Sequence, residues 1–343
     1  MNTPVVKAMD AHADASAIEQ AAELLRQGQI VAFPTETVYG LGADASSLEA
    51  VNGVFVAKNR PADNPLIVHI AGPDQVATYC SEIPAVLEPL ARAFWPGPLT
   101  LVVKAQGAIL DTVCRGLDTV ALRVPNHPIA LALIRAADRG LAAPSANLSG
   151  RPSPTRADHV LADMDGRIPM ILDGGPCQVG LESTVLDITG ETPVILRPGD
   201  ITRPAIEAVL GQEVASAVSE EAKRRSPGTR YRHYSPNAEV WLVDRNVSQT
   251  ALSQLIQFLA ENSKTVYIGS REISGLACRR ESPESLAASL YAHLRDLDQA
   301  GYQRIVVETG GLSDSLQDRL AKAASHEIAS DRDVQIKITG TPR

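Results

Sequence analysis

The segment 211–237 constrains this chain more than any other stretch. It is polar, carries Lys223, Arg224, Arg225, Arg230 and Arg232, and has Pro227-Gly228 near its centre. A structureless stretch of that length inside one compact body is improbable, so it reads as an interdomain linker or a lid. The chain then divides into a domain over 1–210, the linker over 211–237, and a second domain over 238–343. A length of 343 residues suits two domains at the usual size of about 150 residues each.

The two flanks have different rhythms. Before the break, short β-rich runs lie at 30–33, 66–70, 99–104, 120–124, 141–143, 170–172, 184–188 and 194–196. Helical patterns at 16–27, 47–58, 85–94 and 127–138 separate some of them. Ser16-Ala17-Ile18-Glu19 has the form of a capping box, and Gly28 marks the end of that helix. The runs at 184–188 and 194–196, joined by Thr189-Gly190-Glu191-Thr192-Pro193, predict an antiparallel hairpin. This is an α/β domain with an open, twisted, mixed sheet. After the break, strands at 239–243, 265–268 and 305–308 alternate with helices at 249–261, 283–299 and 315–325. That order predicts a smaller parallel sheet, Rossmann- or flavodoxin-like. It contains neither GxGxxG nor GxxxxGK[ST], so the fold alone gives it no nucleotide site.

Composition narrows the function. Aromatics are only 4%, so the cores must be built from Val, Leu, Ile and Ala. A formal charge of −8 disfavours a life of non-specific nucleic-acid binding. Cys80, Cys114, Cys177 and Cys278 form no CxxC pair, and the seven histidines show no HExxH, so spacing nominates no metal ligand. Residues 1–15 lack the apolar core of a signal peptide, and no run approaches the roughly 18 apolar residues of a membrane span. The expectation is a cytoplasmic protein without membrane contact.

Chemistry-bearing residues gather at predicted strand ends, where open α/β sheets place ligands. Phe33-Pro34-Thr35-Glu36-Thr37 takes a buried strand into hydroxyls and a carboxylate. Lys58 and Arg60 sit at a helix end before Pro61, both expected to be solvent-accessible, and Asn64-Pro65 leads into a strand ending at His69. Ser145 and Asn147 follow the apolar run 141–143, Arg123 ends another run, and Ser183 and Arg197 flank the hairpin. Arginines at strand ends suit bidentate contact with carboxylate or phosphate. No Ser-His-Asp, Cys-His or paired-carboxylate arrangement stands out. Anion-binding groups without an obvious nucleophile suit chemistry done by positioning and charge neutralisation, such as nucleotidyl transfer.

Taken together, the segments PTETVYGLG, KNRPADNPLIVH, WPGPLT, GLDTVALRVP, APSANLSGRPSPT, GLESTV and LRPG resemble the YrdC-type threonylcarbamoyl-AMP synthases. The family's KxR…SxN signature appears as Lys58/Arg60 and Ser145/Asn147, and the linker SPGTRYRHYSP resembles the longer, two-domain branch. The resemblance implies synthesis of L-threonylcarbamoyl-AMP from L-threonine, bicarbonate or CO₂ and ATP, with release of pyrophosphate and with Mg²⁺ accompanying ATP. The product would pass to a tRNA threonylcarbamoyl-transferase complex, toward N6-threonylcarbamoyladenosine at position 37 of tRNAs that read ANN codons. No stable nucleic-acid binding by this chain is implied.

By the same resemblance Thr35, His69, Arg123, the Ala143 backbone and Ser183 would hold threonine. Arg60, Asn64, Thr119, Ser145, Asn147, Ser153, Arg197 and Tyr234 would hold ATP. Lys58 and Arg60 would be catalytic, and Tyr231, His233 and Tyr234 would form a lid. The resemblance also implies a concave, positive cavity in the first domain, and the competing expectation is an RNA-binding translation or ribosome-maturation factor that uses that same cavity. Sparse aromatics and net negative charge argue against it, because single-strand binders use basic grooves with stacking platforms.

Overall fold

The computed structural model describes residues 2–61, 64–107, 109–216, 233–275 and 277–339. It forms two compact units, one of residues 1–149 and 153–231, the other of residues 150–152 and 232–343.

In the first unit the described strands are β1 (Val5–Lys7), β2 (Val31–Phe33), β3 (Gly40–Asp44), β4 (Ile67–His69), β5 (Leu99–Lys104), β6 (Thr119–Arg123), β7 (Leu141–Ala142), β8 (Met170–Asp173), β9 (Thr184–Asp187), β10 (Val194–Arg197) and β11 (Ala215–Ser216). They make one mixed sheet in the order β1-β8-β2-β3-β7-β4-β6-β5-β9-β10-β11. Side chains alternate across it, as the period of a strand requires. In β2, Ala32 faces one core while Val31 and Phe33 face the other. The second of these cores takes Ile18, Ala21, Ala22 and Leu25 of the helix Ala15–Arg26 and Ile129, Ala130, Leu133 and Ile134 of the helix Pro128–Ala137. Each fully buried Leu or Ile contributes about 1.5–3 kcal/mol. Both cores are largely aliphatic, as the low aromatic content requires.

The hairpin of β9 and β10 is antiparallel as expected. Three expectations need correction. Ser16 does not open a capping box: the helix starts at Ala15 with Asp14 as N-cap and no side-chain capping bond. Asp14 instead accepts the N–H groups of Met9 and Asp10, at 2.8 and 3.0 Å, so a preceding turn fixes the helix entry and places Ser16 within its first turn. Gly40–Asp44, read only as part of a motif, is a strand. Its glycines let the Phe33 ring lie on the backbone, since a Cβ at Gly40 or Gly42 would meet that ring at 3.0 or 2.9 Å. Residues 211–216, assigned to the linker, belong to the first unit. Gly211 is the left-handed C-cap of the helix Arg203–Leu210, Val214 is fully buried, and β11 pairs with β10.

The second unit carries a parallel sheet in the order β14-β13-β15-β12-β16, from β12 (Glu239–Val243), β13 (Thr265–Gly269), β14 (Ala277–Arg280), β15 (Arg304–Glu308) and β16 (His326–Ile328). The helices Gln249–Ala260, Pro283–Gln299 and Asp314–Ala323 lie where the periodicity puts them. Leu286, Leu290, Leu294 and Leu297 are buried, and Ser282 and Ser285 form a true capping box. Strands β14 and β16 and the helix Asp331–Thr339 have no counterpart in the sequence reading. The two strands are short, polar sheet edges, and the helix buries only Val334 among its described residues.

Candidate functional site

The candidate site is built where three loops of the first unit are laced together by their backbones. Tyr39 N–H donates to Pro154 O, Ala146 N–H to Tyr39 O, and Val179 N–H to Glu36 O, at 2.8, 2.8 and 2.7 Å. These bonds join the turn after β2, the loop after β7 and the segment before β9.

The turn after β2 is held by its own hydroxyls. Thr35 Oγ1 accepts from the N–H groups of Thr37 and Val38 at 3.2 Å each and donates to Val38 O at 2.6 Å. Thr35 therefore does structural work while lying 2% exposed. Beside it, Arg123 at the end of β6 donates from Nη1 to Thr37 Oγ1 at 2.9 Å and from Nε to Gly97 O at 3.2 Å. Arg123 Nη2 lies 2.7 Å from Glu36 Oε2, with both side chains 4% exposed. Neither Glu36 oxygen accepts a hydrogen bond, so this contact is an ion pair out of line rather than a charged hydrogen bond. Glu36 and Thr37 were not singled out from sequence, although both stand inside the same strand-end motif.

His69 is the register partner of Arg123 across β4 and β6. Burial, then the neighbouring Arg123 charge, pushes its imidazole down to about 3. It is neutral at physiological pH, meets the Phe33 ring edge-on at 5.9 Å, and leaves Nδ1 without a hydrogen-bond partner. Ala143, after β7, donates its N–H to Ile67 O at 2.9 Å, tying the loop base to β4.

Lys58 corrects an expectation. It is the last residue of the helix Leu48–Lys58 and is 1% exposed, not solvent-accessible. Its Nζ donates to the carbonyls of Ser145 and Asn147, and Ser149 N–H returns a bond to Lys58 O at 2.9 Å. The ammonium therefore clamps the helix end to the loop after β7. Within that loop Ser145 Oγ donates to Asn147 Oδ1 at 2.5 Å. Arg60, past the left-handed Asn59, is half-buried, with Nη2 3.4 Å from Pro65 O. Asn64 is fully buried.

Ser183 and Arg197 meet at the open end of the hairpin. Arg197 donates from Nε to Ser183 O at 3.1 Å and from Nη2 to Ser183 Oγ at 3.2 Å, and Ser183 Oγ lies 2.7 Å from Thr100 Oγ1. Gly199 permits the approach, since a Cβ there would stand 2.1 Å from Thr184 N. Ser153 Oγ donates to Glu182 Oε1 at 2.5 Å, another carboxylate the sequence reading passed over.

One predicted residue is not gathered here. Thr119 begins β6 whereas Arg123 ends it, so the two lie about 13 Å apart along the strand. Tyr234 and His233 belong to the second unit, where the Tyr234 ring packs on Tyr291 at 5.3 Å and lies 5% exposed. Tyr231 lies outside the described residues. No group of three or more His, Cys, Asp or Glu that could hold a metal occurs among the described residues. No described helix is long and apolar enough to cross a membrane.

A family model described as "Telomere recombination", for proteins of the Sua5, YciO and YrdC type, matches residues 23–199. A second, described as "Threonylcarbamoyl-AMP synthase, C-terminal domain", matches residues 201–325. The threonylcarbamoyl-AMP synthase of Pyrococcus abyssi is 44% identical over 322 residues, covering 91% of this chain and 95% of that protein. That of Bacillus subtilis is 44% identical over 326 residues, covering 91% and 94%. The crystal structure of P. abyssi Sua5 complexed with L-threonine matches with a TM-score of 0.88 and 41% identity, over 95% of this chain and 99% of that one.

Proposed function

The chain belongs to the threonylcarbamoyl-AMP synthase family, in its two-domain form, and from this we infer that it makes L-threonylcarbamoyl-AMP from L-threonine, bicarbonate or CO₂ and ATP, releasing pyrophosphate. The observation that carries the reading is the clamp of Lys58 on the carbonyls of Ser145 and Asn147, which unites the two halves of the family signature in one site. The full-length relatives support the synthase and not the RNA-binding alternative.

In this reading Thr35, His69, Arg123, the Ala143 backbone and Ser183 hold threonine, and Arg60, Asn64, Ser145, Asn147, Ser153 and Arg197 hold ATP. Thr119 and Tyr234 keep their assignment to ATP only as proposals from the resemblance. The chemistry sets the demands. Threonine's ammonium gives up one proton to solvent, its nitrogen bonds to the carbon of CO₂ as a C=O π pair moves onto oxygen, and a second proton leaves the nitrogen to solvent, giving an anionic carbamate. A carbamate oxygen then bonds to the α-phosphorus as the bond to pyrophosphate breaks. Two anions must approach, so Arg60 and Arg197 act by offsetting charge on the phosphates and the leaving group. Lys58 acts by fixing the Ser145–Asn147 loop. His69, held to about 3, is too weak a base to take the ammonium proton. Mg²⁺ on the ATP phosphates supplies further charge neutralisation when bound. The product would then be consumed by a tRNA threonylcarbamoyl-transferase complex.

The test is exchange of labelled pyrophosphate into ATP. It should require both threonine and bicarbonate. Exchange that proceeds without threonine, or its absence under all conditions, would overturn the reading.

A further inference from the structure

The loop after β7 that carries Ser145, Asn147 and Ser153 is held by two different parts of the fold. Its flanks belong to the first unit, whereas Gly150, Arg151 and Pro152 at its tip belong to the second. On one flank Lys58 Nζ donates to the carbonyls of Ser145 and Asn147, and Ser149 N–H donates to Lys58 O at 2.9 Å. On the other, Ser153 Oγ donates to Glu182 Oε1 at 2.5 Å, and Pro154 O accepts from Tyr39 N–H at 2.8 Å. The tip turns through Gly150, whose φ of +91° suits a residue without a Cβ. Pro152 has no N–H, so its carbonyl is the backbone group by which it can be gripped. Arg295 grips it: Nε and Nη2 both donate to Pro152 O, at 2.9 and 2.5 Å. Ser235 N–H donates to Gly150 O at 2.9 Å, and the adjoining Tyr234 ring packs on Tyr291 at 5.3 Å. Tyr291 and Arg295 stand four positions apart on the helix Pro283–Gln299, so both grips are rooted on one face of one helix. That helix buries Leu286, Leu290, Leu294 and Leu297 and opens with a capping box, which makes it a rigid mount.

We propose that Arg295 is a positioning residue for ATP: by holding the carbonyl of Pro152, it fixes the tip of the loop whose Ser145, Asn147 and Ser153 bind the nucleotide. This rests on the synthase reading of that loop. Pro152 is joined directly to Ser153, so a tip that moves carries the Ser153 backbone with it. A guanidinium presents its N–H groups in a rigid fork, and two bonds to one carbonyl oxygen fix direction as well as distance. Without them the arrangement competent for ATP is one of several open to the tip, and apparent affinity falls by the fraction of molecules that hold it. Threonine is spared, because Thr35, His69, Arg123, Ala143 and Ser183 lie outside residues 145–153. The residue that sets the nucleotide loop therefore comes from the second domain, 143 positions further along the chain.

The test compares the full-length chain with Arg295→Ala and Arg304→Ala, titrating ATP and threonine separately by calorimetry. Arg304 is the control: it lies in the same domain and likewise donates to a backbone carbonyl, that of Leu259 at 2.7 Å, rather than to the loop tip. R295A should weaken ATP binding about tenfold, the lower end of what one charge-assisted contact is worth, since the bond from Ser235 to Gly150 remains. Its threonine affinity should match wild type. R304A should bind both ligands as wild type does. ATP affinity of R295A equal to wild type overturns the proposal. So does an equal loss of ATP and threonine affinity in R295A, or a loss of ATP affinity in R304A as large as in R295A, since either marks a general softening of the domain. If R295A fails to fold, Arg295→Lys decides, because it keeps the charge and gives up the two-pronged grip. Weaker ATP binding with unchanged threonine binding then supports the proposal, and unchanged ATP binding refutes it. A wild-type chain that binds neither ligand would instead refute the functional reading.

Discussion

Lys58 and Arg60, two positions apart in one signature, do different work. Lys58 is buried and bonds two carbonyls of the facing loop, whereas Arg60 is half-buried at the helix exit. Replacing Lys58 by Ala should therefore cost both activity and stability, since two carbonyls lose a charged donor inside the fold. Replacing Arg60 by Ala should lower turnover by about 10- to 150-fold, the scale of one charge-assisted contact, and leave the melting temperature unchanged. Thermal melts beside turnover assays separate the two cases, and an equal loss of stability in both variants would contradict the assignment. His69 adds a pH signature. Its proton binds near pH 6.5 in the unfolded chain and near pH 3 in the folded one. Across that window the unfolded state holds more protons, so this contribution is intact above about pH 6.5 and declines as pH falls through it. The His69→Asn variant should flatten the dependence by about 1.4 kcal/mol per pH unit, read from denaturant titrations at several pH values.

Among elements, the hairpin of β9 and β10 shows how backbone proximity shapes the site. Gly199 lies so close to Thr184 N and to Ser183 that any side chain must push the two segments apart. Gly199→Ala should destabilise by about 1–3 kcal/mol, the usual scale of overpacking, and should disturb the Arg197–Ser183 contact and with it the proposed ATP site. A variant with wild-type stability and ATP affinity would show that the loop yields freely. Most helices and central strands were legible because they bury one face or both, and burial writes a period into the sequence. Strands β14 and β16, being polar edges, leave no such trace, and β3 hid because glycines under the Phe33 ring look like a loop. The candidate site was visible in the sequence as a set of strand-end motifs, whereas the contact of Ser183 with Arg197 emerges only from the structure. The burial of Lys58 was not legible, because a cation at a helix end reads as a solvated partner of the helix dipole until the facing loop is known. Glu36 was visible in its motif, but its pairing with Arg123 spans 87 positions of sequence, a distance that no local pattern reports.

For the molecule as a whole, the first unit has cores of its own. Its two principal apolar clusters contain only residues up to Val214. A fragment of residues 1–216 should therefore unfold in one cooperative transition, followed by circular dichroism. A fragment of residues 1–210, which lacks buried Val214 and β11, should be less stable by about 1.5–3 kcal/mol, and equal melting of the two would show that this edge contributes nothing. Both fragments end before Tyr231, His233 and Tyr234, so full turnover by 1–216 would remove those residues from the proposed site. The sheet of this unit also sets an order of events during synthesis. Its edge strand β1 pairs in parallel with β8, Val5 beside Ile171, and Thr3 Oγ1 donates to the carbonyls of Met164 and Ile168. The ribosome makes β1 well before its partner, with most of the unit lying between the two in sequence. At 5–20 residues per second the nascent β1 waits roughly 8–30 s with its backbone donors and acceptors facing water or whatever chaperone stands at the tunnel exit. The large sheet can therefore be completed at this edge only late in translation, once β8 exists to receive it.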